Sequence, residues 1–414
     1  MYITKVHLSN VRCCENLTIK FDKHGSSILL CGDNGDGKST VLRCVAMGLC
    51  DQTSAAGLLR ELSGDFVRKD EDKATIIIEL LDTQRKTYKI ETTITSLKAF
   101  ESLTQKVFIN GKESDQQRFP WHDIFVAAYG PGNRITGTAD YQHYVAVDAV
   151  YSLFKNEVPL QNPELVLRRA IDEAHKRYKK DSKKAKEYAA KSFDYLRELL
   201  ETLLNLDGRD RLFLTKAGIE VKSKRWGRSE LGALGDGYRS TTTWVLDLIS
   251  WWMLALEKKS FYSNRQVKGI VLIDEVEQHL HPKWQTKIMQ LLCNAFDGLQ
   301  FIATTHSPLV ISGCKEIPVY ILSKGHHKQK NVYGWLAEDV YREIMGLESS
   351  RAETFRSEVR SFEELYFKKL RSKLSVADKY KLTNLKKEFS VLPGTDPLAV
   401  TTKLDNLSKA LDGK

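Results

Sequence analysis

Apolar and polar positions alternate over residues 3–21, around Ser9-Asn10-Val11-Arg12, and a period of two predicts a pair of strands there. A wholly apolar run, Ile28-Leu29-Leu30-Cys31, predicts a third strand, and Val41-Leu42-Arg43-Cys44-Val45-Ala46-Met47 a helix beyond a glycine-rich break. A short helix is expected over residues 56–62. Residues 75–80, 87–92 and 107–109 alternate again, the last entering an Asn110-Gly111 hairpin turn, so residues of about 65–115 read as an antiparallel β layer. Ile124-Phe125-Val126-Ala127-Ala128-Tyr129 predicts a further strand, ending at Gly130-Pro131-Gly132-Asn133-Arg134. Residues 163–206 carry apolar positions at helical spacing and predict a helical insertion. A glycine turn, Leu234-Gly235-Asp236-Gly237, then opens an apolar helix reaching about residue 256. Strands are expected at 269–273, 299–305 and 319–322, the last closing the sheet, with one helix over 282–295. Beyond residue 336 the pattern is helical and charged, broken at Pro393-Gly394. The expected class is α/β: a mixed sheet flanked by helices, with an antiparallel layer. The expected divisions are 1–155, 156–215, 216–335 and 336–414.

The break between the third strand and its helix reads Gly32-Asp33-Asn34-Gly35-Asp36-Gly37-Lys38-Ser39-Thr40, which has the spacing of a phosphate-binding P-loop. Glycines let successive backbone N–H groups curl around an anion, and the helix N-terminus adds partial positive charge. Lys38 can then reach the β- and γ-phosphates, and the Ser39 hydroxyl can ligate Mg²⁺. Nucleoside triphosphate binding is the expectation.

Four apolar runs end at chemically interesting residues: the P-loop, Gly130, Asp274-Glu275 and His306. In a parallel sheet such ends share the edge where a ligand lies. Asp274 follows four apolar residues, the Walker B pattern, so its carboxylate can bind Mg²⁺ through water opposite Ser39. Glu275 then stands where a general base would orient and deprotonate water. His306 could contact the γ-phosphate or that water, with a structural histidine as the alternative. Arg134 is a candidate phosphate or ribose contact, with an exposed turn arginine as the alternative.

Composition narrows the partners. The chain has 414 residues, 42% hydrophobic and 28% charged, ordinary for a globular protein. Its start, Met1-Tyr2-Ile3-Thr4-Lys5, lacks a signal-peptide layout, and the most apolar run (244–256) is too short for a bilayer and carries Asp247. The short apolar run leaves no membrane partner expected, and the seven cysteines form no CxxC pair, which points to reduced thiols in a cytoplasmic protein. The net charge of +10 is partly clustered, in Arg168, Arg169, Lys176, Arg177, Lys179, Lys180, Lys183, Lys184 and Lys186, and in Lys222, Lys224, Arg225 and Arg228 around Trp226. Nucleic acid is an expected partner for such clusters, and a solvated helix face is the plainer reading of the first.

Together these motifs resemble the ABC-type ATPases of the RecF/SMC/OLD branch. Asp274-Glu275-Val276-Glu277-Gln278-His279-Leu280-His281-Pro282-Lys283-Trp284-Gln285 and Thr304-Thr305-His306-Ser307-Pro308 are similar to strings of stand-alone anti-phage defence ATPases. The ATPase part of OLD nucleases and the Septu- and retron-associated ATPase PtuA are examples. The similarity covers residues of about 1–50 and 120–325. It implies an ABC-type P-loop head using ATP and Mg²⁺, with Lys38, Glu275 and His306 catalytic and Ser39 and Asp274 at the metal. Gly32, Asn34, Gly35, Gly37, Lys38, Ser39, Thr40, Arg12 and Arg134 would hold the nucleotide. It also implies a homodimer, or higher oligomer, with ATP sandwiched and capped by Gly235, Asp236 and Gly237 of the second copy. A separate nuclease subunit, HNH-type in the resembling systems, would do the cutting, since no HNH or Toprim pattern follows residue 325. Two departures stand out. Gly235 replaces the signature serine, which implies slow hydrolysis, and no glutamine occupies an obvious Q-loop position, Gln142 being nearest. The rival readings are a RecF-like repair ATPase binding DNA directly and an ATP-locked scaffold with little turnover. No Asn-Lys-x-Asp string supports a GTPase, and no Leu-Ser-Gly-Gly-Gln signature supports a transporter head.

Overall fold

Strands Ile28–Cys31, Val126–Tyr129, Gly269–Ile273 and Leu299–Thr304 carry no charged side chain, and every residue in them is buried. Strands apolar on both faces need cover on both faces, the condition of a parallel sheet inside an α/β layer structure. The computed structural model has that arrangement. It describes the chain except residues 23–24, 98–99, 133–136, 163–164, 166–168, 170–171, 173–174, 180, 205, 207–209, 216–217, 224–226, 231–235, 256–267, 324, 348–350, 372–373, 394–395, 397 and 401–414.

The six-stranded sheet runs in the order His326–Lys330, Val319–Ser323, Ile28–Cys31, Leu299–Thr304, Gly269–Ile273, Val126–Tyr129. The five strands from Val319–Ser323 onward are parallel, and His326–Lys330 alone is antiparallel. The expectation that residues 319–322 close the sheet is therefore corrected. The extra edge strand reads His-His-Lys-Gln-Lys, polar throughout, a pattern that protects an exposed edge and hides it from a search for apolar runs.

The second sheet is antiparallel, in the order Cys14–Lys20, Tyr2–Val11, Lys73–Leu81, Thr87–Leu97, Phe100–Ile109, Lys112–Ser114. Asn110 (φ 50°) and Gly111 (φ 77°) supply the paired positive φ of its last hairpin. Helix Lys38–Gly48 packs on strand Lys73–Leu81 and also on Gly269–Ile273 and Leu299–Thr304, so it joins the two sheets. One apolar core takes Ile28, Leu30, Ile270, Leu272 and Ile302 from one face of the parallel sheet. A second takes Leu29, Cys31, Val271, Ile273 and Phe301 from the other, under helices Asp236–Ala255, Ile288–Ala295 and Ser182–Leu203.

Two other expectations change, and one sheet was unforeseen. The helix foreseen at 56–62 spans Gln52–Arg60, because Asp51 caps it by accepting from the Thr53 and Ser54 N–H groups. The helix foreseen over 282–295 is two, Pro282–Gln285 and Ile288–Ala295. At the break the Thr286 carbonyl lies against Gly313, where a Cβ would come within 2.2 Å of it. An antiparallel three-stranded sheet, Asp210–Thr215, Gly218–Ser223 and Gly227–Glu230, had no expectation at all. Its apolar side is Leu212, Ile219 and Val221, an alternation only a few residues long on each strand.

The chain divides into two units, Met1–Met345 and Gly346–Lys414. In the second, helices Glu353–Arg371 and Val376–Ser390 pack around Phe362, Leu365, Leu382, Leu385 and Phe389. Among the described residues no helix is long and apolar enough to cross a membrane.

Candidate functional site

Strand Ile28–Cys31 delivers the chain to Gly32 at its C-terminal end. A Cβ at Gly32 would come 2.4 Å from the Leu322 carbonyl oxygen, so only glycine fits. Gly37, at φ 91°, is left-handed and N-caps helix Lys38–Gly48. Lys38 is 6% exposed, and its ammonium donates to the carbonyls of Gly32 (2.9 Å) and Asp33 (2.8 Å). Burial lowers its pKa, against the raising influence of Asp36 and Asp274. Ser39 is half-buried and Thr40 buried, while Asn34 and Gly35 are exposed on the loop.

Asp274 follows strand Gly269–Ile273, 2% exposed, its N–H donating to the Tyr129 carbonyl (2.8 Å). The Thr304 hydroxyl, at the end of the neighbouring strand, donates to the Asp274 carboxylate and accepts from the Glu275 N–H (2.8 Å). Glu275 has φ 52°, a left-handed backbone that costs a non-glycine residue energy and recurs at functional sites. The Thr305 N–H donates to the Leu30 carbonyl (3.0 Å), tying this edge to the P-loop strand. Lys38, Asp274, Glu275 and His306 are thus gathered at the ends of three adjacent parallel strands.

Sequence reasoning gave Glu277 no role, yet it organises the loop at Thr305 and His306. Its carboxylate accepts from the Thr305 hydroxyl (2.7 Å) and from the His306 N–H (2.6 Å). Gln285 extends the frame, accepting from the Ser307 hydroxyl (2.7 Å) and donating to the Leu280 carbonyl (2.9 Å). Ser307 caps helix Pro308–Gly313 in turn. The available signal was Thr304-Thr305, polar residues at the end of a buried strand that must find partners.

Other candidates divide. The Arg12 guanidinium lies over the Phe66 ring (5.3 Å) and donates to the Ser63 carbonyl (2.9 Å). Gly237 packs against the loop after Asp274, where a Cβ would come 2.5 Å from the His279 carbonyl oxygen. Asp236 is the first residue of its helix. Gly235 and Arg134 lie outside the described residues. Gln142 is exposed and donates to Asp140. Of the basic clusters, Arg169 points inward, to Gln161, Ser250, Asp140 and the Tyr141 carbonyl. Lys183, Lys184 and Lys186 are exposed on helix Ser182–Leu203. Lys222 lies opposite Arg211 and Arg228 in cross-strand register. Arg168, Lys180, Lys224, Arg225 and Trp226 lie outside the described residues.

Behind the site, the Tyr129 hydroxyl donates to Asp247 (2.8 Å), which also accepts from the Gln161 N–H (2.7 Å). Burial pushes the Asp247 carboxyl up to about 6, against those two hydrogen bonds, Trp251 and Arg169.

The residues present fit a magnesium nucleotide. No three His, Cys, Asp or Glu side chains cluster as a metal cage among the described residues. Mg²⁺ needs none, being held by one or two protein oxygens with phosphates and water.

A glycine-capped anion loop and a buried acidic strand end on neighbouring parallel strands define a P-loop nucleotide-binding fold of the ABC type. The chain belongs to the AAA-domain family: that family's model matches residues 5–211, and a second AAA-domain model matches residues 245–312. It is similar to the Septu protein PtuA of Bacillus mycoides (strain KBAB4), 25% identical over 84% of this chain and 44% of that protein. It is also similar to the Escherichia coli protein named "Retron Ec83 probable ATPase", 24% identical over 82% of this chain and 76% of that one. The match thus spans less than half the length of the PtuA relative. Among solved structures, an SMC head bound to the C-terminal winged-helix domain of ScpA aligns with a TM-score of 0.49 at 16% identity, over 80% of this chain and 98% of that one.

Proposed function

We propose that the chain is the ATP-binding and hydrolysing subunit of a bacterial anti-phage defence system, dimerising around ATP and acting with a separate nuclease. The observation that carries this reading is the convergence of Lys38, Asp274, Glu275 and the His306 loop on one sheet edge. The Septu and retron names of its relatives support the biological setting.

In this mechanism the P-loop amides and Lys38 hold the β- and γ-phosphates. Ser39 and Asp274 would hold Mg²⁺, which neutralises phosphate charge when bound. Glu275 accepts a proton from water as the water oxygen attacks the γ-phosphorus, and the bond to the β–γ bridging oxygen breaks to leave ADP and phosphate. Lys38 offsets charge gathering on the leaving oxygen. His306, oriented through its backbone by Glu277, contacts the γ-phosphate. Turnover is slow in this reading because Gly235 offers no hydroxyl to the second copy's nucleotide.

Glu275→Gln tests it. The variant should bind ATP normally, accumulate an ATP-loaded dimer in native mass spectrometry, and hydrolyse about 10²–10⁴-fold more slowly than the parent. Parent-like hydrolysis would remove Glu275 as the base. A parent that stays monomeric with ATP and co-purifies with no nuclease from its host would overturn the assembly.

A further inference from the structure

Cys13 and Cys14 sit in the tight turn between the first two strands, where Val11 pairs with Cys14 and Arg12 has φ 48°. Their sulfurs are 3.9 Å apart. Cys14, Cys31, Cys44, Cys50 and Cys314 are buried, and only Cys13 and Cys293 are half-exposed. Burial raises the Cys293 pKa. The turn also abuts the P-loop: a Cβ built on Gly37 would come 2.7 Å from the Cys13 sulfur and 3.1 Å from that of Cys14. Cys13 therefore lies beside the N-terminus of the eleven-residue helix Lys38–Gly48, whose dipole favours a thiolate. The charged groups around the turn include Arg12, Asp36, Glu15 and Arg68, whose guanidinium reaches the Cys13 carbonyl (3.4 Å) and pairs with Glu15 (3.4 Å). The contact with the Cys14 thiol brings Cys13 down to about 7, with Arg12 assisting and burial and Asp36 opposing. Cys14 itself is pushed up, by that same contact and by burial.

We propose that Cys13 is a site of reversible modification by low-molecular-weight disulfides, and that the adduct and a nucleotide in the P-loop exclude one another. The second half rests on the nucleotide-binding reading above. In the reaction the Cys13 thiolate attacks one sulfur of a disulfide R–S–S–R. A Cys13–S–S–R bond forms, the original S–S bond breaks, and RS⁻ leaves and takes a proton from water. Cys13 is oxidised and the departing sulfur reduced, and a free thiol reverses the exchange. The adduct grows from a sulfur that leaves no room for a Cβ on Gly37, whose neighbouring amides must face the phosphates. With glutathione as R, its carboxylates would compete at the same helix N-terminus.

The probe is glutathione disulfide, applied to the full chain with and without ATP. Adducts are located by peptide mass mapping, and affinity is read with a fluorescent ATP analogue. Cys13 should be modified ahead of Cys293. Modification should weaken nucleotide binding about tenfold or more, reversed by dithiothreitol, and saturating ATP should slow modification by a similar factor, since such coupling is reciprocal. Cys13→Ser should show one affinity whether or not glutathione disulfide is present. If the untreated chain binds nucleotide but Cys13 stays unmodified, or affinity and labelling ignore one another, the thiol proposal falls and the nucleotide reading stands. If the untreated chain binds no nucleotide, the nucleotide reading falls first and the proposed exclusion with it.

Discussion

The phosphate loop and the carboxylate edge stand at the ends of neighbouring strands and are built on opposite plans. Gly32 to Thr40 are consecutive, and what they present is backbone shaped by glycine plus one buried cation. The edge holding Asp274, Glu275 and His306 is assembled from side chains about thirty residues apart in sequence, through Thr304–Asp274, Thr305–Glu277 and Glu277–His306. The first depends on local conformation, the second on a chain of satisfied hydrogen bonds. They should therefore fail differently when cut: the loop in binding, the edge in turnover.

The largest effect expected is on the loop side. Lys38→Ala removes the cation that the proposed mechanism directs at two phosphates, and charge-assisted hydrogen bonds of this kind contribute ~3 kcal/mol, about 100-fold in affinity. Titration with ATP should show that loss, and the nucleotide-free chain should also melt somewhat lower, since the Gly32 and Asp33 carbonyls lose their donor. If affinity survives and only hydrolysis falls, the division of labour is wrong.

On the edge side, Glu277→Gln is the sharper cut. Glu277 accepts two donors, the Thr305 hydroxyl and the His306 N–H, whereas glutamine offers one oxygen and turns an NH₂ toward the other donor. One unsatisfied donor costs ~1–3 kcal/mol, so kcat should fall about 10-fold to 100-fold with KM for ATP within about twofold. A rise in KM at constant kcat would make Glu277 part of the loop.

The same contrast explains what the sequence disclosed. The loop was legible because its chemistry is its spacing, and the strands around it because both their faces are apolar. Asp274 and Glu275 were legible by position, as acids that end such a strand. Glu277 was not, because one more acid in an acidic string acquires meaning only when Thr305 and His306 arrive from the next strand. Arg169 was misread for the same reason. In sequence it belongs to a basic cluster, and in the fold it turns toward Gln161 and Ser250 beside buried Asp247. The edge strand His326–Lys330 escaped because a polar sequence carries no burial signal.

The smallest effect concerns the support behind the edge. The Tyr129 carbonyl receives the Asp274 N–H while its hydroxyl donates to Asp247, so Asp247 stands one bond removed from the Walker B residue. Asp247 titrates at about 6 in the fold, chiefly because burial disfavours its charge, against ~3.9 in an unfolded chain. Between those values the folded form keeps the extra proton. Its contribution therefore favours the fold at low pH and is lost as pH rises through about 6. Above that the buried carboxylate costs ~3 kcal/mol, which Asp247→Asn escapes by staying neutral. The variant leaves either Tyr129 or Gln161 facing an NH₂ group, so it should melt below the parent at pH 4. The gap should then close by about 3–8 °C on going to pH 7.5. A gap independent of pH would mean that Asp247 is ionised across the whole range. Its link through Tyr129 to Asp274 would then be a fixed charge and would lend the edge no pH dependence.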